Sequence, residues 1–160
     1  MRILLPIDGS ELSLRAVAHV AQFVKKGQVV LFHVTGIPPR MLEHRGGNTD
    51  REEDQLEHQV GEQSRRYDEE AKRAADREIF APAEQLLRGD PGADLQVSRR
   101  LVTEASSVPA LAILSEARTN RYDAVVIGRH GHSGVLSLFM GGTAAKLVHH
   151  LSDTPIWLVP

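Results

Sequence analysis

The chain has 160 residues, 41% of them hydrophobic and 25% charged, the make-up of one globular domain with a self-sustaining core. A formal charge of -2 and a pI near 6.4 supply no general basic field for a nucleic-acid backbone, and the lack of cysteine excludes disulfides, thiolate metal sites and cysteine nucleophiles. No apolar run approaches the roughly 18–20 residues that cross a bilayer, and MRILLPIDGS has no signal-peptide pattern, so a soluble, cytoplasmic protein is expected, with neither nucleic acid nor membrane as partner.

Residues 2–7, RILLPI, form a short apolar run, and the DGS that follows is a turn and helix-start signal. From Ser10 the apolar positions Leu14, Val17, Ala18 and Ala21 recur at helical spacing, which predicts a helix stopped by Gly27. Residues 29–34, VVLFHV, are apolar on both alternating faces, as suits a strand covered by helices on each side. The prolines and glycines of TGIPPRMLEHRGGN predict an irregular connection. A charged stretch from about Asp50 to Leu87 then carries a thin apolar stripe of Leu56, Val60, Ala71, Ala74 and Ala75. It reads as one long helix, or two broken near Gly61, with a solvated charged face.

After the turn cluster RGDPGAD, in which Arg88-Gly89-Asp90 is a turn, LQVSRRLV reads as a third strand. Ala110, Ile113, Leu114 and Ala117 repeat the helical spacing behind Pro109, which suits a first helical turn. DAVVI, residues 123–127, is a fourth strand running into GRHGHSGVLSLFMGGT, residues 128–143. Ala144, Leu147, Val148 and Leu151 mark another helix, and PIWLV, residues 155–159, a closing strand. The order β-α-β-α-β-α-β-α-β implies an α/β fold, a single domain over residues 1–160, with a parallel sheet wound on both faces. Such sheets bind ligands beyond the carboxyl ends of their strands, where the strand order reverses. That rule singles out PIDGS after the first strand and GRHGHSG after the fourth.

Gly128 and Gly131 let backbone N–H groups approach a ligand, and Thr143, just before the last helical stripe, can cap that helix beside the positive end of its dipole. Together these describe a phosphate-binding geometry, although the same residues would serve a plain turn and cap. The segment is neither a phosphate loop of the G-x-x-x-x-G-K-[ST] kind nor a first-strand G-x-G-x-x-G. Gly131-His132-Ser133-Gly134-Val135 departs from the G-x-S-x-G nucleophile elbow at its last position. His130 and His132, and likewise His149 and His150, read as surface residues or ligand contacts rather than metal ligands, since no H-E-x-x-H helix accompanies them. The Asp8 carboxylate can accept hydrogen bonds from a ribose or an adenine amino group, or cap the helix that follows. Trp157 reads as an apolar contact of the terminal strand, and PIWLV, if at an edge, favours pairing with a second copy.

Three segments, ILLPIDGSELSLRAV, VVLFHV and DAVVIGRHGHSGVLSLFMGGTAAKLVHHLSDTPIWLVP, fall in the order in which they occur in universal stress proteins, and the chain resembles that family. The resemblance covers both ends well and about residues 40–105 poorly. It implies a five-stranded parallel doubly wound sheet in three α/β/α layers, Rossmann-like and adenine nucleotide alpha hydrolase-like, and a homodimer formed through the C-terminal strand. It also implies ATP, or AMP or ADP, held through G-x-x-G-x9-G-[ST], with Mg2+ accompanying the nucleotide. Carried over by position, Pro6, Ile7 and Asp8 would lie beside the adenosine and the main chain of Val34 on the adenine. Ile127, Gly128, Gly131 and His132 would line the phosphate loop, completed by Gly142, Thr143 and Ala144.

Two departures bear on this. Nine residues separate Gly131 from Gly141, but Gly142 follows where serine or threonine is expected, so Gly142-Thr143 closes the motif after one extra residue. The turn after the third strand, TEASSVP, lacks the glycine common in the family. The reading that results is a stress-response regulator or adaptor that binds an adenine nucleotide and forms a dimer. The alternatives are a member without nucleotide that serves as a dimerisation module, and a slow ATP hydrolase or phosphotransferase using the loop histidines. No dedicated catalytic base is visible, which favours binding over turnover.

Overall fold

A computed structural model of the chain describes residues 1–36, 65–104, 108–129 and 140–160. In chain order these form β1 (Arg2–Pro6), α1 (Glu11–Phe23), β2 (Lys26–Gly36), α2 (residues 65–87), β3 (Asp94–Glu104), α3 (Pro109–Thr119), β4 (Ala124–Gly128), α4 (Gly142–His150) and β5 (Ile156–Val159). The five strands make one parallel sheet in the order β3-β2-β1-β4-β5. The alternation read from the sequence is therefore the observed one, and the strand order reverses between β1 and β4.

Alternation along the strands sends successive side chains to opposite faces and so builds two cores. Ile3, Leu5, Val29, Leu31 and Val126 meet Ala16, Val17 and Val20 of α1 and Phe80, Ala83 and Leu87 of α2. Leu4, Val30, Phe32, Val125 and Ile127 meet Ile113 and Ala117 of α3 and Ala144 and Leu147 of α4. Burial on both faces is why β1, β2 and β4 read as continuous apolar runs.

Several local readings shift. Helix α1 is capped by Ser10, whose Oγ accepts from Ser13 N at 3.1 Å, and not by Asp8. Its buried face runs through Ser13, Ala16, Val17 and Val20, with Leu14 and Ala21 at the margin and Ala18 exposed. Gly27 does not stop α1, which ends at Phe23 with Val24 as its C-cap. Gly27 instead lies inside β2 at φ +147°, where a Cβ would come within 2.3 Å of the Met1 carbonyl oxygen. Strands β2 and β3 pair from Lys26↔Asp94 to Gly36↔Glu104, well past their apolar centres, because backbone pairing needs no apolar side chain. Val148, counted in the last helical stripe, is exposed, while Ala144, Leu147 and Leu151 are buried.

Helix α2 is α-helical over residues 65–75, widens into a π turn at Asp76–Phe80 and resumes as Ala81–Leu87. Pro82 cannot donate to the carbonyl four residues back, and the helix widens just before it, with Ala81 N–H bonded to Asp76 O five residues back. The break expected near Gly61 lies outside the described residues. No described helix is long and apolar enough to cross a membrane.

Candidate functional site

A cavity of about 320 Å³ opens at the carboxyl ends of β1, β2 and β4, between the amino termini of α3 and α4. It lies where the strand order reverses, the position at which a parallel sheet leaves a crevice. Three groups of residues build it.

The first is the turn leaving β1. Pro6, Ile7, Asp8, Ser10 and Ser13 line the cavity. Gly9, at φ +77°, lets the chain reverse, and a Cβ there would lie 3.3 Å from Ile79 Cγ1. The Asp8 carboxylate accepts from Ser10 N at 3.0 Å, and Ser13 Oγ accepts from Asp8 N at 3.4 Å while donating to Ser10 O at 2.9 Å. The turn is thus braced by its own hydroxyls and carboxylate. Ile7 N donates to Phe32 O at 2.9 Å, and the Ile7 carbonyl meets His33 Nδ1 at 2.8 Å.

Apolar walls form the second group. Phe32 and Val34 of β2, Ile127 of β4, and Pro109 and Ile113 in the first turns of α3 face the cavity. Pro109 stands in the first turn of α3, as read from the sequence, and the N-cap Val108 makes no side-chain hydrogen bond there.

The third group is the start of α4, where Gly141, Gly142, Thr143 and Ala144 line the cavity together with Gly128. Gly141 is the N-cap, and the first bond of the helix runs from Ala145 N to Gly141 O at 2.9 Å. The amides of Gly142, Thr143 and Ala144 precede that bond, and a glycine cap has no side chain to accept from them. They form the positive end of the helix dipole, a donor cluster suited to an anion. Thr143 is therefore not the cap expected of it: it is the second residue of the helix, because Gly141 takes the extended cap conformation. Gly141 N donates to Arg129 O at 2.8 Å and Arg129 N to Val159 O at 2.7 Å, which ties this end to β5.

Pro6, Ile7, Asp8, Val34, Ile127, Gly128, Gly142, Thr143 and Ala144, singled out in the sequence, thus surround one cavity although they come from four separate segments. Gly131 and His132 lie outside the described residues, as do His130 and Ser133. Ser10, Ser13, Phe32, His33, Pro109, Ile113 and Gly141 complete the lining without having been chosen. A signal for most was present: a seryl cap pair, the neighbours of Val34, and an i, i+4 pair opening a helix at a strand's carboxyl end. His149 and His150 are exposed in the last turn of α4, and no group of three potential metal ligands occurs among the described residues. Trp157 is half-buried against the α1 side of the core, an apolar contact as expected.

Chemically the lining is of two kinds. The walls of Phe32, Val34, Pro109 and Ile113 suit an apolar group, and the α4 amides suit negative charge, while the Asp8 turn lines the same cavity.

Known proteins share this architecture. The hypothetical protein MJ0577 is 23% identical with a TM-score of 0.66, over 99% of this chain and 94% of that one. Universal stress protein UspA from Lactobacillus plantarum is 18% identical with a TM-score of 0.61, over 100% and 97%. A universal stress protein solved in complex with cAMP is 16% identical with a TM-score of 0.56, over 99% and 95%. At these identities the likeness is one of fold. No curated protein matches the sequence significantly. A model of the universal stress protein family matches residues 1–160, and with the sheet order and the three family segments in place, the chain belongs to the universal stress protein family.

Proposed function

We propose that this chain, acting as one universal stress protein domain, binds ATP or a related adenine nucleotide and works as a dimeric stress-response regulator or adaptor. The observation that carries the reading is one cavity lined both by apolar side chains suited to a base and by helix-start amides suited to phosphate. Its volume, about 320 Å³, is in the range of small-ligand pockets. That another universal stress protein has been solved with cAMP, itself an adenine nucleotide, is in keeping with it.

In this reading Phe32, Val34, Pro109 and Ile113 exclude water from the base, and Pro6, Ile7 and the Asp8 carboxylate orient the ribose. Gly128, with Gly142, Thr143 and Ala144, receives the phosphates, and the sequence motif alone adds Gly131 and His132 to the proposed phosphate contacts. Mg2+ would travel with the nucleotide and be held by its phosphates. Binding and signalling are the proposed role, and turnover is not part of it.

The reading is tested by extracting the purified protein with heat and chromatographing the extract for bound nucleotide, alongside an ATP titration of the melting temperature. Released adenine nucleotide, or a melting temperature that rises with ATP by mass action, supports it. An extract free of nucleotide together with no shift at saturating ATP overturns it in favour of a dimerisation module. That second reading has its own support in β5, an edge strand that carries an exposed Leu158 beside half-buried Trp157.

A further inference from the structure

The turn that carries Asp8 into the cavity is held at both neighbours of Asp8, on one side by His33, itself a lining residue, and on the other by Ile79. Pairing of β1 with β2 ends at Pro6↔Phe32, so the carbonyl of Ile7 lies beyond the ladder, and His33 Nδ1 meets it at 2.8 Å. A carbonyl oxygen only accepts, so Nδ1 carries the hydrogen and the tautomer of His33 is fixed by this contact. The imidazole stands edge-on to Phe80, with ring centroids 6.3 Å apart and an interplanar angle of 87°. Phe80 closes the π turn Asp76–Phe80, and Ile79 of the same turn abuts Gly9 on the other side of Asp8. One irregular turn of α2 therefore backs both flanks of the residue that reaches the ligand side.

We propose that His33 is a positioning residue for this cavity: its Nδ1–H on the Ile7 carbonyl, backed by the π turn, sets the direction in which Asp8 leaves β1 and with it the affinity for nucleotide. The inference rests on the nucleotide reading for its affinity arm and stands on the turn's own order for the other.

The test compares the unaltered protein with His33→Leu and His33→Asn. Asparagine offers an amide N–H near the place of Nδ1, whereas leucine fills the space with no donor. ATP affinity is measured by calorimetry, and hydrogen exchange of the Ser10 and Ser13 amides is measured without nucleotide. His33→Leu is expected to weaken ATP about tenfold, the value of one well-placed hydrogen bond, and to speed exchange at both amides. His33→Asn is expected to restore both. A leucine variant with unchanged affinity and unchanged exchange overturns the proposal, and so does an asparagine variant as impaired as leucine, which would mean that the ring and not its donor matters. If the unaltered protein does not bind ATP, the nucleotide reading fails, and exchange in the leucine and asparagine variants alone decides whether His33 orders the turn.

Discussion

Arg99 of β3 grips Glu84 of α2 with two parallel bonds, Nε to Oε1 at 2.6 Å and Nη2 to Oε2 at 2.8 Å, while its Nη1 reaches Asp76 at 3.2 Å. The two acids bracket the π turn, one at its start and one just past its end, and the guanidinium stands over the Phe80 ring at 5.9 Å. An irregular helical turn is thereby stapled to the sheet edge. Hydrogen bonding to Arg99 outweighs partial burial and holds the Glu84 carboxyl below the ordinary glutamate value of 4.5. A carboxyl whose folded pKa is depressed stabilises the fold above its unfolded value and loses that contribution as pH falls through the folded value. The unfolding free energies of wild type and Glu84→Gln should therefore differ by up to about 1 kcal/mol near neutrality, the upper range for a partly exposed pair, bidentate here. Urea unfolding at a series of pH values should show that gap closing once the pH drops below 4.5. A gap unchanged at acid pH would mean that Glu84 acts through packing.

Gly27→Ala should destabilise the fold by about 1–3 kcal/mol, since the residue sits at φ +147° and a methyl group would collide with the Met1 carbonyl. Escape would require Met1 to move, which breaks the bond from Gln28 N to Met1 O at 2.8 Å. Thermal melts read the loss. A melting temperature equal to wild type would show the amino terminus yielding without cost.

Tyr122 and Glu116 form a buried pair on the opposite face, with Tyr122 Oη donating to Glu116 Oε1 at 2.6 Å and Arg100 Nε donating to Oε2 at 2.9 Å. Burial, then the bond to Glu116, pushes the Tyr122 phenol above the ordinary tyrosine range, so it remains a donor throughout the neutral range. Tyr122→Phe leaves one carboxylate oxygen without that donor and should cost about 1–3 kcal/mol in chemical denaturation. The test is specific because Glu116→Gln combined with Tyr122→Phe should lose less than the sum of the two single changes.

How much of this was legible follows from what kind of force fixes each part. The alternation of elements was readable because two-sided burial writes apolar runs into β1, β2 and β4, and helical stripes into α3 and α4. The ends of β2 and β3 were not, because Lys26–Gln28 and Thr35–Gly36 are held by backbone pairing, which leaves no mark on side-chain polarity. Gly27 was misread for a related reason: a glycine that stops a helix and one that yields room to the Met1 carbonyl look alike until the partner strand is in place. At the site, residues at the carboxyl ends of strands were legible through the strand-order rule, whereas the π turn reaches the site only through its contacts with His33 and Gly9. The distant contact from Ile79 to Gly9 has no local pattern. The cap of α4 was misassigned by two residues because Gly141, Gly142 and Thr143 are all acceptable caps by type, and only the backbone distinguishes them.

Should β5 mediate the proposed dimer, Leu158→Lys should shift the protein to monomer in sedimentation velocity while leaving the melting temperature of the monomer near wild type. Leu158 is 39% exposed, so the lysine can reach water without disturbing either core. On an edge strand a charged side chain opposes edge-to-edge pairing with a second copy. A dimer that survives the change would direct attention away from β5.

The amino end of α4 offers the sharpest test of the phosphate contacts. A side chain at Gly142 meets nothing within 4 Å, so Gly142→Asp is accommodated without collision. An acidic residue in the first turn also favours the helix dipole, and the protein should melt at or slightly above the wild-type temperature. The same carboxylate stands beside the amides of Thr143 and Ala144 and repels a polyphosphate, so ATP affinity should fall at least tenfold while adenosine binding changes little. Calorimetric titration with both ligands separates the effects. Equal losses for ATP and adenosine would mean that the substitution disturbs the whole cavity, and an unchanged affinity for ATP would show that the phosphates do not rest on α4 at all.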